Sequence, residues 1–587
     1  MKVYKFNNCY LDTIERRVFK NGQSIEITPR AFDILQLLVE SHGKLVTKAD
    51  LIQKVWHDSF IEEGNIPVHI SKLRKMLGAN RAEPLIETVS GVGYQFVSRV
   101  SLVSERDFER YLGKNEKEPQ AKISDAPNLD SLAVLPFQNA GSHKEAEYLA
   151  EGLTESIINN LSYVPEIRVL ARNTVFRFQD SALEAQQIGT ALGVAGVVTG
   201  RVKIINENIV IGVELMKVSD GTQLWGKQFN QPFSDIFEIQ EKIAYEISEK
   251  LRVKISDLAK NSIQVQSSQN LKAYTQYLKG RHFWAKRGFI DLHQAIKHFQ
   301  ESISEDPTYI PSYIGLVDCY LNLFGLQHLS RSEALLFVNP ILNQVSEYDE
   351  KSPETLELIG YVKMLFDLDL QLAEACFTKS LALNPNNTIA LYRYANLLAI
   401  KGRFSESLKQ LQKALLLDPL SIIINTTLGK VFLFMEQYDN AVIRLRETLE
   451  LDPDNYLTLL LLAITLAIQG KREEALSLIP SDLITPENIE VLSIIGYVSA
   501  LAGNKDKARQ IIKQIEQQTN KKDIDATNLA YIYIALGEMS KALEYLEKAF
   551  TQFSVDLLAI KVDPRLKPIR QHPQFLDLLR RIGLLRT

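Results

Sequence analysis

The spacing of apolar residues changes along the chain, and each change marks a different kind of structure. Over residues 1–100 short alternating runs frame compact helical patterns. Thr28-Pro29 followed by Phe32, Leu35, Leu38 and Val39 reads as a cap, a helix-opening proline and an apolar stripe that Gly43 ends. Thr47-Lys-Ala-Asp50 has the form of a capping box and opens a second short helix to about Trp56. A third helix spans roughly Asn65 to Leu77. In it Ile66, Ile70, Leu73 and Leu77 fall at i, i+4, i+7 and i+11, the face that must pack on a core. The run PLIETVSGVGYQFVSRV then alternates around two glycines, which predicts a β-hairpin.

Residues 101–128 are polar and poor in aromatics and read as a linker. Over 129–255 apolar β-branched runs (SLAVLPF, IRVLAR, AGVVTGRVKII, NIVIGVELMKV) alternate with helical ones such as YLAEGLTESIINNLSYV. That alternation predicts a small α/β domain with a mixed sheet. Residues 270–587 are helical and periodic. Ala373, Ser407, Ala441 and Ala475 lie 34 apart, and Ala508 and Ala542 follow at 33 and 34. Pro385, Pro419 and Pro453 keep the same phase, each after Asn or Asp, and so do the large residues Phe377, Leu411, Leu445 and Ile479. This is the 34-residue signature of tetratricopeptide repeats. The small residue lets one helix approach its neighbour, the large one fills the gap, and the proline closes the unit. Ala295, Phe299 and Pro307 fit the template, whereas Ala334 stands 39 from both its neighbours in phase, so the second of about eight repeats is irregular. The run from Asp563 to Leu585 reads as a terminal cap. The expected architecture is multidomain: an α+β N-terminal domain, a small α/β domain and an all-α solenoid.

Composition narrows this picture only a little. The 587 residues are 45% apolar with a net charge of −4, ordinary for a soluble protein. Residues 1–100 carry 14 Lys/Arg against 11 Asp/Glu, a mild basic bias. Cys9, Cys319 and Cys376 sit in no metal or redox spacing, which implies reduced thiols and no metal site. No N-terminal apolar run suits a signal peptide, and Tyr456 to Ile468 is too short to span a bilayer, so a cytoplasmic protein without a membrane anchor is expected.

The third helix carries the candidate chemistry. Opposite its apolar stripe lie Asn65, Val68, Ser71, Lys72 and Lys75, with His69 and Arg74 on the flanks. Cations there can neutralise phosphates or reach guanine acceptors, and small polar groups permit close approach to a major groove. The order helix–helix–helix–hairpin is that of a winged helix. NIPVHISKLRKMLG followed by LIETVSGVGYQFV resembles the OmpR/PhoB-type DNA-binding domain over residues 1–100. The resemblance implies that His69, Lys72 and Arg74 approach phosphates and bases, while Thr88 and Tyr94 clamp the DNA backbone near the wing. It also implies that the acidic loop 57–63 can meet RNA polymerase. Three positions depart from the family: Gly64, Ser90 and Gln95 stand where arginine is common. Fewer phosphate contacts imply weaker binding by a single protomer, and a shallower salt dependence.

The middle segment resembles the TolB-N-terminal-like α/β domain found before tetratricopeptide arrays in some bacterial regulators, through SLAVLPF, AEGLTESIINNLS, AGVVTGRVKI and DGTQLWGKQF. Some such proteins carry the name adenylate cyclase, a chemistry that needs two carboxylates on neighbouring strands to hold metal ions. The strands here offer Glu214 and no second. Gly193, Gly196 and Gly200 are not spaced as a phosphate loop and read as turn and packing positions. No catalytic set and no cofactor emerge. The expectation is therefore a sequence-specific transcription regulator that binds double-stranded DNA, usually with a second protomer, and whose repeat groove takes a protein or peptide partner or signal. The alternatives are a repeat scaffold or chaperone with only nonspecific DNA affinity, and a nucleotide-metabolising enzyme in the middle domain.

Overall fold

The computed structural model describes residues 3–7, 9–13, 17–20, 23–25, 29–56, 65–77, 85–89, 92–98, 100–103, 129–141, 145–164, 166–205, 208–251, 270–286, 288–326, 328–349, 351–486, 488–519 and 526–585. They form two compact units, Met1–Asp125 and Ala126–Thr587.

In the first unit a five-stranded antiparallel sheet has the order β4-β3-β2-β1-β8, from β1 (Val3–Phe6), β2 (Cys9–Asp12), β3 (Arg17–Lys20), β4 (Gln23–Ile25) and β8 (Val100–Val103). β8 pairs with β1 from Phe6↔Val100 to Val3↔Val103, so residues 101–103, read from sequence as linker, belong to this sheet. Their alternation was too short to separate from the polar run behind it. Helices α1 (Pro29–Glu40), α2 (Lys48–Trp56) and α3 (Asn65–Leu77) follow, with a second sheet of β5 (Leu45–Thr47), β7 (Gly93–Phe96) and β6 (Ile86–Val89) in the order β5-β7-β6. The apolar stripe of α1 meets that of α3 in one core with Phe6 and Phe96, whose rings lie edge to face at 5.1 Å. Burying each such side chain contributes about 1.5–3 kcal/mol, the main term holding three short helices together.

The second unit begins with a mixed sheet in the order β11-β9-β12-β13-β14: β9 (Ser131–Val134), β11 (Arg168–Val169), β12 (Gly196–Ile205), β13 (Asn208–Lys217) and β14 (Gln223–Pro232), with β10 (Gln138–Asn139) beside β12. β14 is the one long strand not expected from the pattern. It is an edge strand, only Trp225 and Phe229 of it are buried, and its polar run hides the alternation. Gly193 ends a helix with φ +61°, and a Cβ on Gly200 would stand 2.5 Å from the Phe137 ring, so these glycines do serve turn and packing. α4 (Glu145–Ser162), α5 (Ala185–Leu192) and α6 (Ile236–Lys250) pack with the sheet in a single apolar core.

From Leu271 onward the described residues form eight helix pairs, from Leu271–Lys286 with Phe289–Glu305 to Thr527–Leu536 with Met539–Thr551, and Pro573–Arg581 ends the array. All the small residues in phase, Ser407 included, are fully buried, and Phe377, Leu411 and Leu445 are buried with them. Ser407 takes the place of alanine because its Oγ donates to Ala395 O at 2.7 Å on the neighbouring helix. Phe299 is wedged against helices that carry glycine where it touches them: a Cβ on Gly280 or Gly315 would come within 2.6 Å of its ring. All three cysteines are free and buried, and no helix among the described residues is long and apolar enough to cross a membrane.

The middle domain and the repeats are one body. α4 lies on the first repeat helix so closely that a Cβ on Gly152 would stand 2.2 Å from Leu278. Tyr274 and Tyr309 of the repeats also enter the core of the sheet domain, with Phe237 edge to face on Tyr274 at 4.7 Å, and further along the junction is polar. Asp418, 1% exposed, accepts from Thr174 Oγ1 at 2.7 Å and Asn173 Nδ2 at 3.0 Å. Asn384 donates to Ser162 Oγ at 3.2 Å, and Ala171 N to Leu417 O at 2.8 Å. The far end of the chain meets the opposite turns of the same repeats: Lys567 and Arg570 pair with Glu436, and Lys561 donates to Lys401 O. The first helices of the later pairs, Tyr456–Ile468 and Ile489–Leu501, are buried on nearly every face. The turns between and within these repeats are thus partly occupied by other segments of the same chain.

Candidate nucleic-acid interface

The recognition-helix candidate is α3, and local sequence explains its pose. Ile66, Ile70, Leu73 and Leu77 are 0–4% exposed and fix one face inward. The helix before it is anchored by the expected capping box: Thr47 N and Oγ1 donate to Asp50 Oδ2 at 3.1 and 2.6 Å, and Asp50 N donates back to Thr47 Oγ1. Hydrogen bonds from the Thr47 hydroxyl and amide hold the Asp50 carboxyl below its ordinary range.

Behind α3 stands the wing. β6 and β7 pair from Ile86↔Phe96 to Val89↔Gly93, and β5 adds Val46↔Tyr94. Gly93 is obligatory there, because a Cβ would lie 2.1 Å from Val46 O. Val92 N donates to Val89 O at 3.0 Å. Gln95 Nε2 donates to Gly43 O at 2.9 Å and ties the wing to the end of α1.

Arg74 links the two parts. Its Nε and Nη2 donate to Ile86 O at 3.0 and 2.8 Å, and Nη2 also donates to Thr88 Oγ1 at 2.8 Å. The structure thus brings Arg74 and Thr88 together through a direct hydrogen bond. In this state the guanidinium is a strut between recognition helix and wing, and its planar fork suits that role better than lysine would. Tyr94 is placed differently from the expectation of a backbone clamp. It is 4% exposed with its ring in the core, because the register opposite Val46 turns it inward. The side chains of Asn65, Val68, His69, Ser71, Lys72 and Lys75, the loop 57–63, and Gly64 and Ser90 lie outside the described residues; the α3 backbone that carries the first six is described. Sequence reasoning missed the Arg74 strut and the Gln95 tie, and only the register of the wing exposes either.

Known proteins resemble the chain in the same order of parts. Residues 22–96 match the family model "Transcriptional regulatory protein, C terminal", and residues 128–246 match "HilA/YgeH-like transcriptional regulator, second domain". Residues 376–409 and 526–552 match tetratricopeptide repeat models. The transcriptional regulator HilA of Salmonella typhi is 24% identical over 97% of this chain and 98% of its own length. A Rhizobium meliloti protein that carries an adenylate cyclase name is 25% identical over 44% of this chain and 41% of its own. Among solved structures, the Klebsiella pneumoniae RstA DNA-binding domain in complex with the RstA box is 28% identical, covers 16% of this chain and 98% of that one, and has a TM-score of 0.16. With a winged helix, a HilA-like second domain and repeats in this order, the chain is a DNA-binding transcriptional regulator of the HilA-like, OmpR/PhoB type with C-terminal tetratricopeptide repeats.

Proposed function

We propose that the first unit reads specific DNA sequences through α3, in the cytoplasm and without catalysing a reaction. Positions 65, 68, 69, 71, 72 and 75 meet the major groove, Lys72 and Lys75 neutralise phosphates, and Arg74 positions the helix against the wing. Thr88 meets the DNA backbone at the wing, where it is exposed; Tyr94 supports the wing from within. The observation that carries this reading is the pose of α3. Its apolar stripe is buried and its flank is tied to the wing, so the remaining face is the one left to engage a groove. A second protomer supplies the other half-site, since one winged helix contacts few bases, and the acidic loop 57–63 meets RNA polymerase.

A non-catalytic middle domain is supported by the cross-strand neighbours of Glu214. They are Thr199 and Gly226, so no paired carboxylate adjoins it on β12 or β14. The regulators matched across nearly the full length point the same way. The second unit receives the signal that controls the first.

Selection of genomic fragments by the full chain at physiological salt tests the proposal, with Lys72→Ala/Lys75→Ala alongside. A recurrent, repeated motif that the variant loses is expected. Equal recovery of all fragments by both proteins overturns the reading and leaves a scaffold with nonspecific DNA affinity.

A further inference from the structure

Between α4, α6 and the first four repeats lies a cavity of about 570 Å³. That is the size of a small-molecule site, and it lies where two domains meet, a usual place for one. Its walls are aromatic on one side. Tyr274, Tyr277 and Tyr309 form a connected set, with Tyr277 edge to face on Tyr309 at 5.3 Å and stacked on Tyr274 at 6.3 Å.

The other side is charged, and the charges do not balance. Glu155 has two cations: it pairs with Arg281 and, at 3.2 Å, with Arg172. Burial pushes its carboxyl up, but Arg281 and Arg172 outweigh burial and hold it below the ordinary value. Asp318 and Glu357, 6% and 5% exposed, share the single guanidinium of Arg393. Glu354 has less still. Its Oε1 accepts from Tyr163 Oη at 2.8 Å, and its buried Oε2 has no hydrogen-bond partner among the described residues. Burial raises the Glu354 carboxyl, and Asp349 adds to that effect. Burial likewise lifts Glu357 to about 7 against the pull of Arg393. A half-buried carboxylate with one shielded, unbonded oxygen either gives up its charge or gains a cation. A smaller neighbouring pocket shows how a cation is held, since the Arg393 guanidinium lies 3.8 Å from the centre of the Tyr361 ring while it pairs with its carboxylates.

We propose that this cavity binds a small organic cation, with an ammonium or amidinium group against Glu354 and its carbon skeleton on Tyr274, Tyr277 and Tyr309. Glu357 and Asp318, one charge in excess over Arg393, add to the attraction. An anionic ligand would meet guanidiniums whose charge Glu151 and Glu155 already offset, and a neutral one would leave Glu354 as it is. The site joins α4 and α6 of the middle domain to the repeats, so a ligand there ties the two parts together. This inference goes beyond the DNA-binding reading and does not depend on it.

The test is calorimetric titration of the full chain with benzylammonium at about pH 8, where Glu357 is mostly ionised, beside benzyl alcohol as the neutral match. One saturable site for the cation is expected, with benzyl alcohol weaker by about tenfold or more, the worth of one charged hydrogen bond. Glu354→Gln should lose a similar factor. Asn159→Trp, at the exposed rim of the cavity, should also weaken binding while the thermal melt stays unchanged; it serves if Glu354→Gln unfolds. The proposal falls if no saturable binding occurs, if benzyl alcohol binds as well as the cation, or if both folded variants bind as the parent does. Because the titration contains no DNA, its failure leaves the reading of the first unit untouched, and failure of the genomic selection leaves this one untouched.

Discussion

The two units are held together by different physics. In the winged helix the structure follows the apolar stripes: Phe32, Leu35, Leu38, Ile66, Ile70 and Leu73 meet in one core, and polar side chains enter mainly as struts such as Arg74. In the second unit the apolar cores of the sheet and of the repeats are just as regular, yet the sheet domain is fastened to the later repeats by buried and partly buried polar contacts. Thr174 to Asp418, Asn384 to Ser162 and Tyr163 to Glu354 join residues about 190 to 245 positions apart. Apolar burial forgives sliding because it has no direction. A buried hydrogen bond specifies one arrangement and is costly to leave unmade. The first unit should therefore fail by steric insult to its core, and the second by loss of one polar partner.

The largest effect expected is in the first unit. Gly93→Val places a branched side chain where even a Cβ would lie 2.1 Å from Val46 O. The obstacle is backbone, so no side chain can swing aside, and the cost should exceed about 3 kcal/mol. Hydrogen exchange of the full chain should show lost protection across β5, β6 and β7, with 129–585 unchanged and DNA binding abolished. Protection retained at β7 would mean the wing can repack.

Next in size is Asp418→Ala. It removes the acceptor of both Thr174 and Asn173 in a site that water does not reach, at about 2–3 kcal/mol. Asp452 holds the same phase one repeat later, yet it accepts from Asn455 within its own loop at 3.1 Å, and Asp452→Ala should cost under about 1 kcal/mol. Faster exchange over 168–178 in the first variant and not in the second would separate a docking residue from a loop residue. Equal effects would make both mere loop caps.

That pair also shows how far the sequence could be read. Asn384, Asp418 and Asp452 look identical from the period, each one residue before a proline, and the period rightly places all three between repeats. Periodicity reports which face of a helix is buried, not which distant segment arrives to use a loop, so the docking of 162–174 on Asn384 and Asp418 was not legible. The three helices and hairpin of the first unit were legible because their signals are local: a cap, a stripe, a pair of glycines. For the same reason the tie from Arg74 to the wing was not legible. Helix position alone puts it on the flank of the presumed DNA-facing side, and only the register of β6 brings Ile86 O within its reach.

A smaller effect should divide two neighbouring cations on α3. Arg74→Ala removes the strut and should cost about 1–2 kcal/mol of domain stability together with DNA affinity, and Arg74→Lys should recover little of it. Lys72→Ala should leave stability unchanged and reduce the slope of affinity against salt by about one. If Arg74→Ala lowers affinity at unchanged stability, Arg74 is a direct DNA contact and the strut is incidental.

The smallest effect concerns Gln95, where related domains often carry arginine. Gln95 donates to Gly43 O and stands across from Glu87 in the β6–β7 register; Glu87 is exposed and Gln95 half-buried. Gln95→Arg gives up one partly exposed hydrogen bond and gains a cross-strand ion pair, so stability should change by no more than about 0.5 kcal/mol. DNA binding decides what the cation does. If the new guanidinium reaches a phosphate, the salt dependence should steepen by about one unit, and binding by a single protomer should tighten. If Glu87 captures it, the slope stays as it was, and the double variant Gln95→Arg/Glu87→Gln should then release it. A slope unmoved in both variants would place the wing too far from the duplex for position 95 to matter, and would leave α3 to carry the phosphate contacts that the departures at 64, 90 and 95 have removed.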